Sequence, residues 1–293
     1  MHYFFWAVWI LVITVLLNVS QKLASRYLVT EYASYVLFTF LAMAPFVPLY
    51  ALTGRLEPVG TAWFPVIMQS ITYFTGALFL YYAIFNLDIS IVSSLTPLKL
   101  IFSPLLAFIF LGESYPFSVY GLMAVLSIGA LFVAYDEKTS YRAFFQPGVL
   151  AVLVAECIFA FSDIYTALAV RSVGVATALI WQGIIATGCA CCFGLFCKPR
   201  QQLTPARMNT LLLMGFLGFL LTIGFGSAFV QNVTITNSIA MLGGPAVLLT
   251  GSILSRLRPE LLEHHPGRVY RIRFLGSGIM YTAAIGIVII TGN

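Results

Sequence analysis

The sequence predicts an all-α integral membrane protein with ten transmembrane helices in two inverted five-helix repeats. Of its 293 residues, 60% are hydrophobic and only 9% are charged, and the mean hydropathy is +0.97. A soluble domain carries about 25% charged residues. Ten apolar segments are long enough to cross a bilayer, which takes about 20 residues per helix. The two halves of the chain share a sequence pattern, which predicts the repeats.

The apolar segments follow one another with short polar connections, so we expect no soluble domain. The first segment begins at Tyr3 with no basic region before it. We therefore interpret it as a membrane helix and not as a cleaved signal peptide. The ten predicted helices span roughly 3–27, 32–53, 61–86, 89–111, 116–135, 147–171, 174–197, 208–231, 235–256 and 269–291.

Corresponding motifs introduce the fourth and the ninth segments. The stretch "NLDIS" precedes the fourth, and "NVTIT" precedes the ninth. The sequence "LTPLKLIFSPLLAFIFLGE" can be laid on "LGGPAVLLTGSILSRLRPE" with a shift of one residue, which places Pro97 on Pro245 and Glu113 near Glu260. We therefore predict a first repeat over 1–138 and a second over 139–293, within one membrane domain. Because five is odd, the repeats have opposite orientations, which is typical of transporters with a site near the midplane.

Two stretches of the first half carry a family resemblance. The segment "ALFLYYAIFNLDISIVSSLTPLKLIFSPLLAFIFLGE" at 77–113 and the helix ending "LLNVSQKLASR" at 16–26 resemble the EamA-type repeat of the drug/metabolite transporter superfamily. The second half departs from this pattern, because "LSRLRPE" replaces the Leu-Gly-Glu ending and the ninth helix lacks a lysine. The resemblance implies a ten-helix layout and alternating-access transport of small metabolites, commonly export. It does not fix the substrate.

Lys99 lies in the middle of the fourth segment, where a charged side chain costs roughly 2.5–3.5 kcal/mol on insertion scales. Thr96, Lys99 and Ser103 share one stripe of the helix, and Pro97 and Pro104 interrupt the backbone hydrogen bonds around it. The lysine is roughly 16 Å from either end of its helix, too far to reach a headgroup easily. We predict that it points into a central cavity and engages substrate or takes part in gating. The alternative is a fixed structural ion pair.

The sixth segment supplies partners for this lysine. Glu156 and Asp163 are seven residues apart and therefore share a face. Burial and a nearby ammonium shift the pKa of a carboxylate in opposite directions. Either residue could then carry a coupling proton, or form a static salt bridge with Lys99.

Other polar residues within the apolar segments are candidates for the cavity wall. These are Asn18 on the first helix, Gln69 and Tyr73 on the third, and Gln182 on the seventh. For each of them the alternative is a hydrogen bond between helices. Lys22 is close enough to the end of its helix to extend its ammonium to the interface. The resemblance and these residues together predict a cavity lined by helices 1, 3, 4, 6, 8 and 9.

No motif for metal, nucleotide or covalent chemistry was found. The sequence contains no P-loop, H-E-x-x-H or nucleophile elbow, so we expect no enzyme activity and no cofactor. The cysteines lie in apolar segments and none is near a histidine at metal-binding spacing. We therefore expect packing roles for Cys157, Cys189, Cys191, Cys192 and Cys197.

These observations favour a secondary transporter that moves a small polar or amphoteric metabolite by alternating access, as an exporter driven by protons or by exchange. Translocation of a lipid-linked sugar or polyprenyl phosphate is the main alternative, and a non-transporting membrane assembly subunit is a further one. We expect a multi-pass protein of the cell (inner) membrane, monomeric or homodimeric. Its partners are a small-molecule substrate and the bilayer. The basic residues are scattered over loop ends, so we expect no nucleic-acid partner.

The orientation of the chain is predicted differently by charge and by resemblance. With ten helices, the side that holds the termini carries Arg55 and Arg171. The other side carries Lys22, Arg26, Lys138, Arg142, Lys198, Arg200, Arg207, Arg256, Arg258, Arg268, Arg271 and Arg273. Short cytoplasmic loops carry the Lys/Arg excess, which places both termini outside the cytoplasm. The family resemblance implies the reverse.

Overall fold

The computed structural model describes residues 2–87, 91–92, 95–133, 146–201, 204–240, 242–243, 246–247, 249–250, 253 and 267–291. Within these ranges the chain forms helices, turns and loops, and no strand. Five helices are long and apolar enough to cross a membrane. They are Val8–Tyr27, Tyr32–Thr53, Trp63–Asn86, Pro147–Cys197 and Arg207–Phe229. The protein is therefore all-α, with several helices that fit a membrane protein.

The first three elements are two α-helices and, between them, an α-helix that continues as a 3-10 helix containing Pro48. Helix α1 spans His2–Tyr27, and α2 spans Tyr32–Met43 and continues as a 3-10 helix over Ala44–Thr53. Pro48 inside this stretch has no N–H to donate, which favours the tighter turn. Helix α3 spans Trp63–Asn86.

The predicted fourth segment changes from a 3-10 turn to an α-helix at Lys99. A 3-10 turn covers Thr96–Leu98, and helix α4 spans Lys99–Leu111. Gly112 ends α4 in the left-handed conformation, with φ at 68°, which glycine adopts without steric cost. The N–H of Glu113 then donates to the carbonyl of Ala107 at 3.2 Å, and this bond holds Glu113 beside the helix end. Helix α5 follows over Phe117–Val133.

Helix α6, Pro147–Cys197, contains a reversal at Gly174, whose φ of 74° and ψ of 161° are not helical. A straight helix of this length would measure about 75 Å, far more than the roughly 30 Å of a hydrocarbon core. The Ser162 hydroxyl donates to the carbonyl of Gln69, and the Gln69 amide donates to the carbonyl of Ala178. Since both sides of Gly174 contact the same residue, the helix folds back as a first arm, 147–173, and a second arm, 175–197.

The last described elements are α7, Pro205–Phe229, α8, Val233–Ala240, and α9, Gly267–Thr291. Pro205 occupies the first turn of α7, where a missing N–H costs nothing. The predicted boundary between the repeats at 138/139 lies outside the described residues, as do Pro245 and the whole of 254–266, which includes Arg256 and Arg258.

Small residues allow the helices to approach closely. A Cβ at Gly215 of α7 would meet the carbonyl of Ala42 in α2, and one at Gly129 of α5 would be 2.8 Å from Met280 of α9. Close contact between backbones is what small residues provide in membrane proteins. Helix α3 packs between the arms of α6, and buried aromatic rings such as Tyr35 and Tyr81, whose centroids are 5.2 Å apart, fill the space beside it.

The two ends of the helix bundle differ in their polar contacts. At one end, which we call the Gly174 end, the N–H of Glu57 donates to the Thr177 hydroxyl at 2.8 Å. At the other, the Lys198 end, Glu31 accepts from the N–H of Arg200 at 2.9 Å. These contacts fix the directions of α2, α3 and both arms of α6 within the bundle.

Lys22 does not extend to an interface as the sequence suggested. It is 8% exposed, and its ammonium donates to the carbonyls of Ile84 and Leu87 at 3.2 and 2.9 Å. These carbonyls end α3 and have no partner within that helix, so a buried cation satisfies them. Lys22 therefore ties α1 to the C-terminal end of α3.

Candidate functional site

A cavity of about 210 Å³ lies among the apolar helices. Its wall comes from α1, α3, the 3-10 turn before α4, the first residue of α4, both arms of α6, α7 and α8. The lining residues are Thr14, Leu17, Asn18, Gln21, Tyr73, Ala77, Leu80, Tyr81, Ile84, Val92, Thr96, Lys99, Glu156, Phe159, Ser162, Asp163, Thr166, Leu179, Gln182, Gly218, Leu221, Thr222, Phe225, Gly226, Phe229 and Ala240. The predicted wall omitted the second arm of α6, which contributes Leu179 and Gln182.

Seven of the nine residues that the sequence singled out line this cavity. They are Asn18, Tyr73, Thr96, Lys99, Glu156, Asp163 and Gln182. Gln69 and Ser103 are fully buried but are not part of its wall. Gln69 links α3 to the second arm of α6, which matches the alternative of a hydrogen bond between helices. Ser103 lies one helical turn after Lys99 on α4.

Lys99 and Asp163 form a buried ion pair on the cavity wall. The Lys99 ammonium is 2.7 Å from Oδ2 of Asp163, and the side chains are 7% and 13% exposed. The ammonium also lies 5.7 Å from the centre of the Phe225 ring, within the range of a cation–π contact. The pair explains how the chain accommodates a lysine at membrane depth.

Asn237 of α8 supports this ion pair, and the sequence interpretation missed it. Its amide donates to Oδ2 of Asp163 at 2.8 Å and to the Ser103 hydroxyl at 3.3 Å. Its own Oδ1 is buried and has no hydrogen-bond partner among the described residues. A signal was available, because "TITNS" is an unusually polar stretch at the start of a predicted membrane helix.

Glu156 is a second buried carboxylate on the same wall. It is 2% exposed and lies in the electrostatic field of Lys99 and Asp163. The cavity wall thus holds one ammonium and two carboxylates, Glu156 and Asp163, with a net charge of −1 when all three are ionised. This arrangement suits a cation, a proton or the ammonium group of an amphoteric molecule.

Two polar atoms of the wall have no partner among the described residues. They are Oε1 of Gln182 on the second arm of α6 and Oγ1 of Thr14 on α1. A buried acceptor without a donor is costly, so each is a candidate contact for a polar ligand. Gln182 was predicted from the sequence, whereas Thr14 was not, because threonine is common in apolar helices.

Aromatic side chains form much of the remaining wall. The rings of Tyr73 and Phe159 have centroids 6.2 Å apart, and Gly76 allows this contact, since a Cβ there would be 2.9 Å from the Phe159 ring. Of the two candidates on α3, Gln69 therefore joins helices and Tyr73 lines the cavity. Within the described residues, no group of three or more His, Cys, Asp or Glu side chains could hold a metal ion.

Comparisons with known proteins establish the fold and nothing about function. No family model matches the chain, and no curated protein matches it. Among the solved structures, 28 chains match. One of them, a crystal structure of a protein, has a TM-score of 0.69 and 14% sequence identity over 95% of this chain and 94% of the other. The chain therefore shares its fold with a solved protein over nearly its whole length.

Proposed function

We propose that the protein is a secondary transporter for a small polar or amphoteric metabolite. The observation that carries this proposal is the buried Lys99–Asp163 pair on the wall of a cavity between apolar helices. Charged residues inside membrane helices are expensive and mark substrate or proton pathways. At about 210 Å³, the cavity is smaller than the roughly 300–1,000 Å³ of sites for drug-sized ligands, which favours a small metabolite.

The proposed layout is ten crossings in two inverted five-helix repeats of the EamA type, in the cell (inner) membrane, as a monomer or homodimer. The reversal at Gly174 supports it, because α6 then supplies two antiparallel crossings. The change from a 3-10 turn to an α-helix at Lys99 also supports it, because transporter sites near the midplane are built where helices depart from regular α-helical bonding.

In the proposed cycle Lys99 exchanges partners. In the state described here it pairs with Asp163. An anionic group of the substrate takes over the ammonium, and Asp163 or Glu156 then receives either a proton or the cationic group of the substrate. Gln182 and Thr14 accept hydrogen bonds from the donors of the substrate. The net charge of the cavity does not change in this exchange, and export follows when the loaded cavity opens on the other side.

A transport screen in proteoliposomes tests the proposal. Amino acids, nucleotide sugars and phosphorylated metabolites are supplied in turn, and counterflow of each labelled compound is measured. We expect one class to be transported by the wild type and by Arg55→Ala, which removes an exposed basic side chain in a loop, but not by Lys99→Ala. Equal transport by both variants would exclude Lys99 from the mechanism.

Proton coupling is tested in the same system by imposing a pH gradient. We expect Glu156→Gln or Asp163→Asn to abolish the response of transport to the gradient, while exchange of substrate between the two sides continues. If wild-type transport does not change with the pH gradient, proton coupling is excluded and substrate exchange remains as the driving reaction.

A second candidate function is translocation of a lipid-linked sugar or polyprenyl phosphate. It is favoured by an apolar groove of about 810 Å³ between α4 and α5, lined by Leu98 and Leu100 on either side of Lys99 and by Leu105 and Phe108. Such a groove could hold an acyl or prenyl chain while Lys99 meets the phosphate. Adding a short-chain prenyl phosphate to the screen separates the two candidates, since a soluble metabolite carrier does not transport it.

A further inference from the structure

A second polar cluster lies outside the cavity, at the Gly174 end. An Arg171 Nη2 group lies 3.0 Å from Oε1 of Glu113 and 3.4 Å from the carbonyl of Phe229. The hydroxyls of Tyr115 and Thr234 donate to Oε2 of Glu113 at 3.2 and 3.3 Å. Burial raises the pKa of Tyr115 to about 12, so its hydroxyl remains a donor. We call Glu113, Arg171 and Thr234 the outer layer.

The ion pair of the cavity forms a matching inner layer. Lys99, Asp163 and Asn237 belong to it. Each layer takes one residue from α4 or the turn that ends it, one from the first arm of α6 and one from α8. The same three segments are therefore joined twice, once at the cavity and once at the end of the bundle.

The two layers are directly connected through α8 and Phe229. Thr234 and Asn237 are three residues apart and share one face of α8. Phe229 lines the cavity, and its carbonyl accepts from Arg171 of the outer layer. Glu113 is 11% exposed and Arg171 is 32% exposed. The outer layer thus lies between the cavity and the solvent at the Gly174 end.

We propose that the outer layer closes the cavity at the Gly174 end and that Asn237 is the positioning residue that couples its opening to the Lys99–Asp163 pair. When Lys99 leaves and Asp163 receives a proton or a cationic group instead, the Asn237 amide no longer bonds to a free carboxylate and holds α8 less firmly. Because Thr234 lies on the same short helix, its bond to Glu113 weakens with it, and the outer layer opens. The event that separates Lys99 from Asp163, which is the arrival of substrate or of a proton, rests on the proposed transport function. The coupling between the two layers does not.

The coupling is tested by the accessibility of a cavity residue, without any substrate. The five cysteines are replaced by serine, and Thr166→Cys is introduced on the cavity wall, where the native side chain is 6% exposed. A membrane-impermeant maleimide is applied to intact cells and to inverted vesicles. A separate Arg55→Cys variant, exposed at the Gly174 end, identifies the preparation that presents this end to the reagent.

Three variants of the reporter protein then isolate the two layers. Glu113→Gln weakens the outer layer, Asn237→Ala weakens the inner one, and Ser238→Ala is the matched control. Ser238 is also fully buried on α8, but the one side-chain bond described for it stays within its own helix, to the carbonyl of Thr234. Thr234→Val is a fourth variant of nearly the same shape, which removes only the hydroxyl that reaches Glu113.

We expect Glu113→Gln, Asn237→Ala and Thr234→Val each to accelerate labelling from the Gly174 end by roughly threefold or more, as the loss of one hydrogen bond predicts. Ser238→Ala should label at the parent rate. Combining Glu113→Gln with Asn237→Ala should give no more than the faster single variant, because Asn237 acts through the Thr234–Glu113 bond, which Glu113→Gln has already weakened.

Three results would overturn the proposal. The first is that Asn237→Ala is labelled at the parent rate. The second is that the combined variant is accelerated by the product of the two single accelerations. The third is that labelling from the Lys198 end is accelerated equally, since this would indicate a general loosening of the protein. If Asn237→Ala does not accumulate, Thr234→Val alone decides, since it must show the same one-sided acceleration. None of these rates involves transported substrate, so a failed transport screen leaves the result interpretable.

Discussion

Removing the charge of Lys99 should destabilise the protein far more than removing both charges of its ion pair. In Lys99→Met the side chain keeps its length, but Asp163 loses a partner at 2.7 Å and retains only the Asn237 amide at 2.8 Å. Leaving one charge of a buried pair without its partner costs about 3–5 kcal/mol. In Lys99→Met combined with Asp163→Asn, no charge of the pair remains. Neutral replacement of a buried pair is often without cost.

The measurement is thermal unfolding of the purified protein in one detergent at one pH. A loss of 3–5 kcal/mol in the free energy of unfolding corresponds to a fall in Tm on the order of 10 °C for a chain of this size. The double variant should recover most of this loss. Arg55→Ala, which removes an exposed positive charge, should stay within about 2 °C of the wild type because surface substitutions cost little.

The same variants separate stability from mechanism. We expect the double variant to fold and yet to be inactive in counterflow, because neither partner of the exchange remains. Two results would refute the reasoning. If Lys99→Met unfolds at the wild-type temperature, Asp163 is not a buried charge that depends on Lys99. If the double variant is no more stable than the single one, the cost lies in packing and not in the unpaired carboxylate.

The remaining predictions concern the orientation of the chain in the membrane, the reversal at Gly174 and the pH dependence of the contacts of Glu31. An impermeant reagent applied to intact cells should label a cysteine at Asn293 and not one at Arg200, as the Lys/Arg bias predicts, and the opposite pattern would favour the orientation implied by the family resemblance. Gly174→Ala should lower the stability by about 1–3 kcal/mol, because a φ of 74° with a ψ of 161° is a glycine conformation, and an unchanged Tm would contradict this. The pKa of Glu31 is held below its ordinary value, first by the Ser34 hydroxyl and then by the N–H of Arg200. Its contribution to stability is therefore present above the ordinary pKa and is lost as the pH falls through the lowered one. Between pH 6 and pH values below about 4 the wild type should lose more stability than Glu31→Gln, and parallel losses would show that the carboxylate contributes nothing.

Hydropathy and helix-breaking residues were sufficient to locate most of the described helices. The predicted segment 61–86 corresponds to Trp63–Asn86, and 208–231 corresponds to Pro205–Phe229. Both begin near proline or a polar stretch and end where apolar periodicity stops. The sequence did not show that a single glycine suffices for the turn near 171–174. A reversal with so little connecting chain depends on how the two arms pack against α3.

The composition of the site was harder to predict than its location. Helical spacing placed Lys99, Glu156 and Asp163 on cavity-facing stripes because a stripe depends only on residues within one helix. It did not identify which carboxylate lies nearest the ammonium, since that depends on the relative depth of two helices. Gln69 and Asn237 show the same limitation. Each amide joins helices that are distant in the sequence, and such partners follow from tertiary packing.

The number of charges at the site itself argues for a site that changes state. A lysine that only had to be buried needs one carboxylate, and Asp163 serves that purpose at 2.7 Å. Glu156, 2% exposed on the same wall, adds a second acid that a static pair does not require and that is expensive to bury. The two carboxylates can pair with the Lys99 ammonium in turn. A proton or a cationic group of the substrate then neutralises the carboxylate that has no ammonium beside it. The proposed exchange of partners gives this second acid a role, whereas a fixed structural bridge leaves it without one.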